Sequence, residues 1–144
     1  MNVEDILDAW QEDASTNPTE IGSESLKTPK LHHKYLQILV QEKLVLKKHK
    51  YKYKRLYKEK WEYFLGFMSQ QQMEERGWEP MPLKIIKQDV DKYIDSDEQI
   101  AQLQLLIEYQ EEKIEALESI IKTINNRGFQ IKNYIDFEKF KMGM

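Results

Sequence analysis

Residues 96–128 read SDEQIAQLQLLIEYQEEKIEALESIIKTINNRG, and this stretch decides the fold. Ile100, Leu103, Ile107, Gln110, Ile114, Leu117, Ile121 and Ile124 follow one another at alternating steps of three and four. Such a stripe is the a/d seam of an α-helix that packs along its length against another helix. Gln110 is its one polar member, and a lone core amide of this kind fixes register or strand number. Ser96 with Gln99 three residues on has the pattern of a capping box, and Asp97 and Glu98 suit the positive end of the helix dipole. Asn125, Asn126, Arg127 and Gly128 close the run, with Gly128 as the residue just past the helix end. A helix carrying this seam needs a partner, so these eight residues are expected to carry self-association.

Downstream, FQIKNYIDFEKF (129–140) spaces Phe129, Tyr134, Ile135 and Phe140 for a last amphipathic helix. Upstream, Leu83, Ile86, Val90 and Ile94 predict a short helix. Residues 66–82 (GFMSQQQMEERGWEPMP) contain a glutamine run, Gly77, Pro80 and Pro82, a composition of irregular structure. Before them, Thr28 and Pro29 make a good helix start, and a long helix is expected to run to about Leu65. Its stripe is Leu31, Tyr35, Ile38, Leu39, Leu46, Tyr53, Leu56, Tyr57 and Phe64, with Gly66 at the end. Within it, residues 49–54 (HKYKYK) alternate with period two and also suit an exposed strand. The helical reading is preferred because helix formers flank the segment with no turn signal between.

At the other end, Asn2 caps a short amphipathic helix with Val3, Ile6, Leu7 and Trp10 on one face, and residues 14–27 have linker composition. The expected organisation is an acidic helix and linker over 1–27, a basic helical region over 28–67, a connecting loop over 68–82, and a helical oligomerisation region over 83–144. The fold class is all-α: a long basic helix plus a heptad helix that oligomerises.

Composition agrees. Five glycines and four prolines in 144 residues disfavour a turn-rich β sandwich or barrel. With 40% hydrophobic and 33% charged residues, the chain is polar for a compact monomer, which favours apolar stripes shared along helices or between subunits. The absence of cysteine excludes disulfides and thiolate metal sites. No run approaches about 18 apolar residues, and the acidic start has no signal-peptide pattern, so a soluble cytoplasmic protein is expected.

The net charge of −3 conceals segregation. Residues 1–26 carry −7 with no Lys or Arg, residues 27–60 carry +10, and the remainder carries −6. A block of +10 in an acidic chain is a local device aimed at a polyanion.

Catalytic constellations are missing: there is no phosphate loop, nucleophile elbow or H-E-x-x-H pair, so neither an enzyme nor a cofactor is expected. His32 and His33 are sequence neighbours that point apart on a helix, and with His49 they lie in or beside the basic block. They read as added positive charge or helix surface, and no metal site is expected. The basic block itself is informative. Lys47, Lys48, Lys50, Lys52, Lys54, Arg55, Lys58 and Lys60 are interleaved with Tyr51, Tyr53, Tyr57 and Trp61. Cations supply phosphate contacts whose counterion release drives nucleic-acid binding. Aromatic rings offer faces to unpaired bases, which a duplex does not present. The combination favours single strands. The plain competitor is a helix whose tyrosines face the core with lysine stems lying around them.

Two segments carry a family resemblance. Lys58-Glu59-Lys60-Trp61-Glu62-Tyr63-Phe64-Leu65-Gly66 resembles the K-x-R-x-D-Y-Y-x-G motif of the UvsY recombination mediators of tailed bacteriophages. Residues 116–122 (ALESIIK) with 126–132 (NRGFQIK) are similar to that family's A-L-D-A-I-K-S-R-G-F-A-I-K. The similarity spans most of residues 30–140. It implies a ring-like homo-oligomer that binds single-stranded DNA and contacts a phage recombinase (UvsX-like) and the phage single-strand-binding protein, in the cytoplasm of the infected host. It also implies that Lys58 and Lys60 are DNA contacts. Lys60 stands where the motif has arginine, which removes the bidentate phosphate fork. The acidic arm lies outside the resemblance; competing with DNA for the basic patch, contacting a partner and merely solubilising are its open roles. A coiled-coil scaffold or assembly chaperone with a basic protein-binding surface is the alternative, and a membrane-surface helix a distant third.

Overall fold

Asn2 opens the first helix as its context predicts. Its side chain accepts the Asp5 N–H at 2.8 Å, and the Asp5 carboxylate accepts the Asn2 N–H at 3.1 Å, closing a capping box on α1 (Val3–Asp13). The structure, a computed structural model, describes residues 1–144, all of them helix, turn or irregular, with no strand. After α1 come a 3₁₀ turn (Pro18–Glu20), α2 (Ile21–Leu26), α3 (Thr28–Phe64), α4 (Gln70–Arg76), α5 (Val90–Asp95), α6 (Glu98–Asn125) and α7 (Arg127–Lys141). Residues 49–54 are helical within α3, so the period-two alternation there is not a strand.

Helix ends account for most departures from the expected pattern. Gly66 ends α3 at φ +79°, with the Phe67 N–H donating to the Glu62 carbonyl at 2.8 Å and the Gly66 N–H to that of Tyr63 at 3.2 Å. The expected loop over 68–82 contains α4, because Ser69 and Gln72 form a capping box and Gly77, at φ +72°, closes the helix the same way. The expected linker over 14–27 likewise holds the 3₁₀ turn and α2. Asp97, not Ser96, caps α6: its carboxylate accepts the Ile100 N–H at 3.2 Å, while the Ser96 hydroxyl donates back to the Lys92 carbonyl at 2.7 Å. Gly128 is no terminator either. Only Asn126 separates α6 from α7, and Gly128 lies inside α7 with ordinary helical backbone.

Two compact units are built from this chain. The first comprises residues 1–44 and 111–144, and the second residues 45–110. In the first, Ile6, Tyr35, Leu39, Ile114, Leu117, Ile120, Ile124 and Ile131 are buried. Trp10 meets Tyr35 edge-on at 5.5 Å, and Asp13 accepts hydrogen bonds from Lys34 at 2.6 Å and the Tyr35 hydroxyl at 2.8 Å. Buried Arg127 donates to the Glu24 carboxylate at 2.7 Å, to the Glu24 carbonyl and to the Thr28 hydroxyl at 2.8 Å. The acidic arm is thereby folded into this unit.

In the second unit, Phe64, Ile85, Val90, Ile94 and Ile100 form the core, with Tyr53, Leu56, Tyr57, Trp61 and Tyr63 packed against it. Ile85 takes the buried place expected of Ile86, and Leu83 is exposed, because residues 81–89 are irregular and α5 begins only at Val90.

The heptad stripe is used within the chain. Ile100, Gln110, Ile114, Leu117 and Ile124 are buried in a single copy, and Leu103, Ile107 and Ile121 are half-buried. The five buried residues of the stripe are thus covered by the chain's own helices.

Candidate nucleic-acid interface

Helical geometry divides the basic block. On α3, residues spaced by three and four share a face, and Tyr53, Leu56, Tyr57, Lys60 and Phe64 fall on the inward one. The opposite face carries Lys47, Lys48, Tyr51, Lys52, Arg55 and Lys58, all exposed, with Lys50 and Lys54 exposed on its flank.

Five of these residues enclose a shallow recess. Lys47, Lys48, Tyr51, Lys52 and Arg55 line a space of about 420 Å³. Tyr51 is 63% exposed, and the Arg55 guanidinium lies 5.8 Å from its ring centre, within cation–π range. A second recess of about 280 Å³ shares Lys52 and Arg55 and adds Leu56, Glu59 and Arg76. Arg76 comes from α4 and is bonded to Glu59 at 2.5 Å. Lys58 lies 3.8 Å from Glu62, one turn along on the same helix, and keeps its side chain largely in solvent.

The other expected contacts are turned inward. Lys60 is 4% exposed, its ammonium 3.1 Å from Asp97 and 3.9 Å from the centre of the Trp78 ring. A carboxylate and an indole face already satisfy it, so the structure does not present it to a phosphate. The Tyr53 and Tyr57 rings lie 6.1 Å apart and tilted by 37° against the core, and the Tyr57 hydroxyl donates to Asp91 at 2.8 Å. That hydrogen bond, with burial, pushes the Tyr57 phenol up to about 12. Trp61 is half-buried against Phe67, their ring centres 5.7 Å apart. Of the four aromatic residues in the block, Tyr51 alone offers an open face. His49 also turns inward, with its Nδ1 shielded and without a hydrogen-bond partner.

Sequence reasoning missed Arg76 and Glu59. Arg76 belongs to a helix read as loop, and only the Ser69–Gln72 cap and Gly77 could have signalled it. No group of three His, Asp or Glu side chains converges as a metal site, and no helix is long and apolar enough to cross a membrane.

The family described as "Recombination, repair and ssDNA binding protein UvsY" matches residues 9–144, which takes in much of the acidic arm that the motifs left outside. No curated protein sequence matches the chain. Solved structures that share its fold include two crystal structures of the recombination mediator protein UvsY of bacteriophage T4. The one in lattice type II is 19% identical, with 99% of this chain and 98% of that one covered at a TM-score of 0.85. The one in lattice type IV is 17% identical, with 98% and 99% covered at 0.80. The match over residues 9–144 extends through both units and every helix but the first turns of α1, and the chain belongs to the UvsY family of recombination, repair and single-stranded-DNA-binding proteins.

Proposed function

We propose that this protein is a recombination mediator that grips single-stranded DNA on the outer face of α3 and helps a UvsX-like recombinase load onto strand covered by single-strand-binding protein. One observation carries the reading: an open recess of four cations around one exposed tyrosine, in a chain of a single-strand-binding family. Lys47, Lys48, Lys52, Arg55 and Lys58 neutralise successive phosphates, with Lys50 and Lys54 beside them. Tyr51 supplies the stacking face, which discriminates against a duplex whose bases are already stacked. The protein works by binding and exchange, without catalysis, in the cytoplasm of the infected host.

Assembly into a ring of identical copies belongs to the same reading. The heptad seam is occupied within the chain, so the copies meet through apolar groups that one chain leaves outside. On α7, Phe129, Phe137 and Phe140 are all exposed, and their spacing puts them on one face. Several copies of a weak patch then hold one strand tightly yet release it in steps, which suits handing the strand from one protein to another.

The test is fluorescence anisotropy of a labelled oligonucleotide across a salt series, for wild type, Tyr51→Ala and Lys47→Ala/Lys48→Ala/Lys52→Ala. The log–log slope of the triple variant is expected to flatten by about 0.7 for each phosphate that loses its lysine. Tyr51→Ala is expected to weaken binding by about 1–3 kcal/mol with the slope unchanged. No wild-type binding at low salt sinks the reading and favours a scaffold with a basic protein-binding surface.

A further inference from the structure

Glu59 is an acid set into a basic track, and it holds the one cation that α4 brings there. The two recesses on α3 are contiguous, because Lys52 and Arg55 line both. A strand following Lys47, Lys48, Tyr51, Lys52 and Arg55 arrives next at Leu56, Glu59 and Arg76. There the Arg76 guanidinium donates to Glu59 at 2.5 Å, with the Arg76 side chain 50% exposed and that of Glu59 23% exposed. An ion pair this open to water contributes little to stability, so its partner can be exchanged at small cost. Two oxygens of a DNA phosphate match the guanidinium fork as a carboxylate does, and arginine binds either one through two parallel N–H donors.

We infer that Arg76 is a DNA-binding residue of this protein and that Glu59 is its resident competitor, a carboxylate that the incoming phosphate displaces. This rests on the proposed single-strand reading and adds to it a residue from outside the basic block. The exchange has a definite consequence. In free protein Glu59 occupies the guanidinium; in the complex the phosphate takes the guanidinium, and Glu59 turns to water, where a partly exposed carboxylate is readily solvated. The strand's affinity at this station is therefore the difference between two similar interactions. A weak last contact on the track suits a protein that must give its strand up to another.

The pair also fixes where the track leaves α3. Because Arg76 sits in the last turn of α4, the strand passes from one helix to the next at Glu59 instead of continuing along α3 past Lys58. The intact protein therefore has one more phosphate contact than the exposed face of α3 provides.

A double-mutant cycle tests this: wild type, Glu59→Gln, Arg76→Gln and the double variant, each titrated against a labelled single-stranded oligonucleotide over a salt series. Helix content and melting temperature are compared beforehand. Arg76→Gln is expected to flatten the log–log slope by about 0.7, one phosphate contact. Glu59→Gln is expected to tighten binding about two- to five-fold, the strength of an exposed ion pair, with the wild-type slope retained. The tightening should vanish in the Arg76→Gln background, since there is no guanidinium left to release. An unchanged slope in Arg76→Gln, or equal tightening by Glu59→Gln in both backgrounds, overturns the inference: the first means that Arg76 meets no phosphate, the second that Glu59 acts only through net charge. In either case wild-type binding persists and the single-strand reading survives. Absence of wild-type binding removes both together. Should Arg76→Gln fold poorly, Arg76→Lys keeps the charge and loses the fork, and unaltered affinity there counts against the inference equally.

Discussion

Lys58 and Lys60 stand two positions apart on one helix, and their environments are opposite. Lys58 keeps its side chain in solvent; Lys60 lies between Asp97 and the Trp78 ring. The difference was legible in the spacing, because Lys60 falls four residues after Leu56 and four before Phe64, both members of the apolar stripe. The motif resemblance drew attention to residue type and away from helical phase. Removing the Lys60 ammonium leaves Asp97 facing an empty site. Asp97 keeps its bond to the Ile100 N–H and some contact with water, so the expected loss is about 3 kcal/mol, the low end for a severed buried pair. Urea denaturation of Lys60→Ala checks this, alongside the salt slope of DNA binding, which should match wild type. A slope flatter by about 0.7 at unchanged stability contradicts it and means that Lys60 swings outward to a phosphate. Tyr51, Tyr53 and Tyr57 divide in the same manner, so of three tyrosines that composition alone treats as equivalent, one keeps an open ring face.

Among the elements, α1, α3 and α6 were legible because each has sustained apolar periodicity, although at α6 the cap is Asp97 and Gly128 falls inside α7. The short helices were less so. A six- or seven-residue helix has barely two turns, and its signal is its caps; the glutamine run and two prolines near α4 outweighed Ser69, Gln72 and Gly77. The partner of the α6 seam was not legible at all, since a heptad stripe has the same pattern whether its partner is its own chain or another. The acidic arm became interpretable only once folded. Partial burial opposes ionisation of Asp13, but hydrogen bonds from Lys34 and Tyr35 and the Lys34 charge outweigh it and hold the carboxyl below 3.8. Glu24 is held below 4.5 by the hydrogen bond from Lys27, against its burial, with help from the Asn17 N–H and from the charges of Lys27 and Arg127. Both folded-state pKa values are depressed, so both groups stabilise the docked arm fully above the ordinary carboxylate range. That contribution shrinks below about pH 4.5 and is gone once the pH has fallen through the folded values. Amide-exchange protection of residues 3–26 is expected to follow this course, and Asp13→Asn/Glu24→Gln should abolish the pH dependence between pH 5 and 3. Protection that instead declines between pH 6 and 8 rules the two carboxylates out. These acids are engaged within residues 1–44 and 111–144, which favours a structural role for the arm over competition with DNA for the basic track.

For the molecule as a whole, net charge and binding surface point in different directions, and the chain reconciles them by location. The first 26 residues carry −7, and their neutralised acids sit in the unit that holds α1, α2 and α7; the exposed cations of residues 47–58 sit in the other. On the proposed reading one copy offers a handful of phosphate contacts, each weakened by salt. Joining copies multiplies them without any new contact. Phe137 and Phe140 are 58% and 79% exposed, so converting both to glutamate costs the fold little, within about 0.5 kcal/mol each. The same change places two charges on the face through which the copies are proposed to meet. Phe137→Glu/Phe140→Glu is therefore expected to sediment as a smaller species than wild type, with unchanged helix content. Its affinity for an oligonucleotide long enough to cross several copies should fall about 10²–10⁴-fold, while affinity for one spanning a single patch stays the same. Equal losses on both lengths place α7 in the strand's own path; no loss and no change in size assigns assembly to Leu105, Leu106 and Tyr109, the exposed apolar residues of α6.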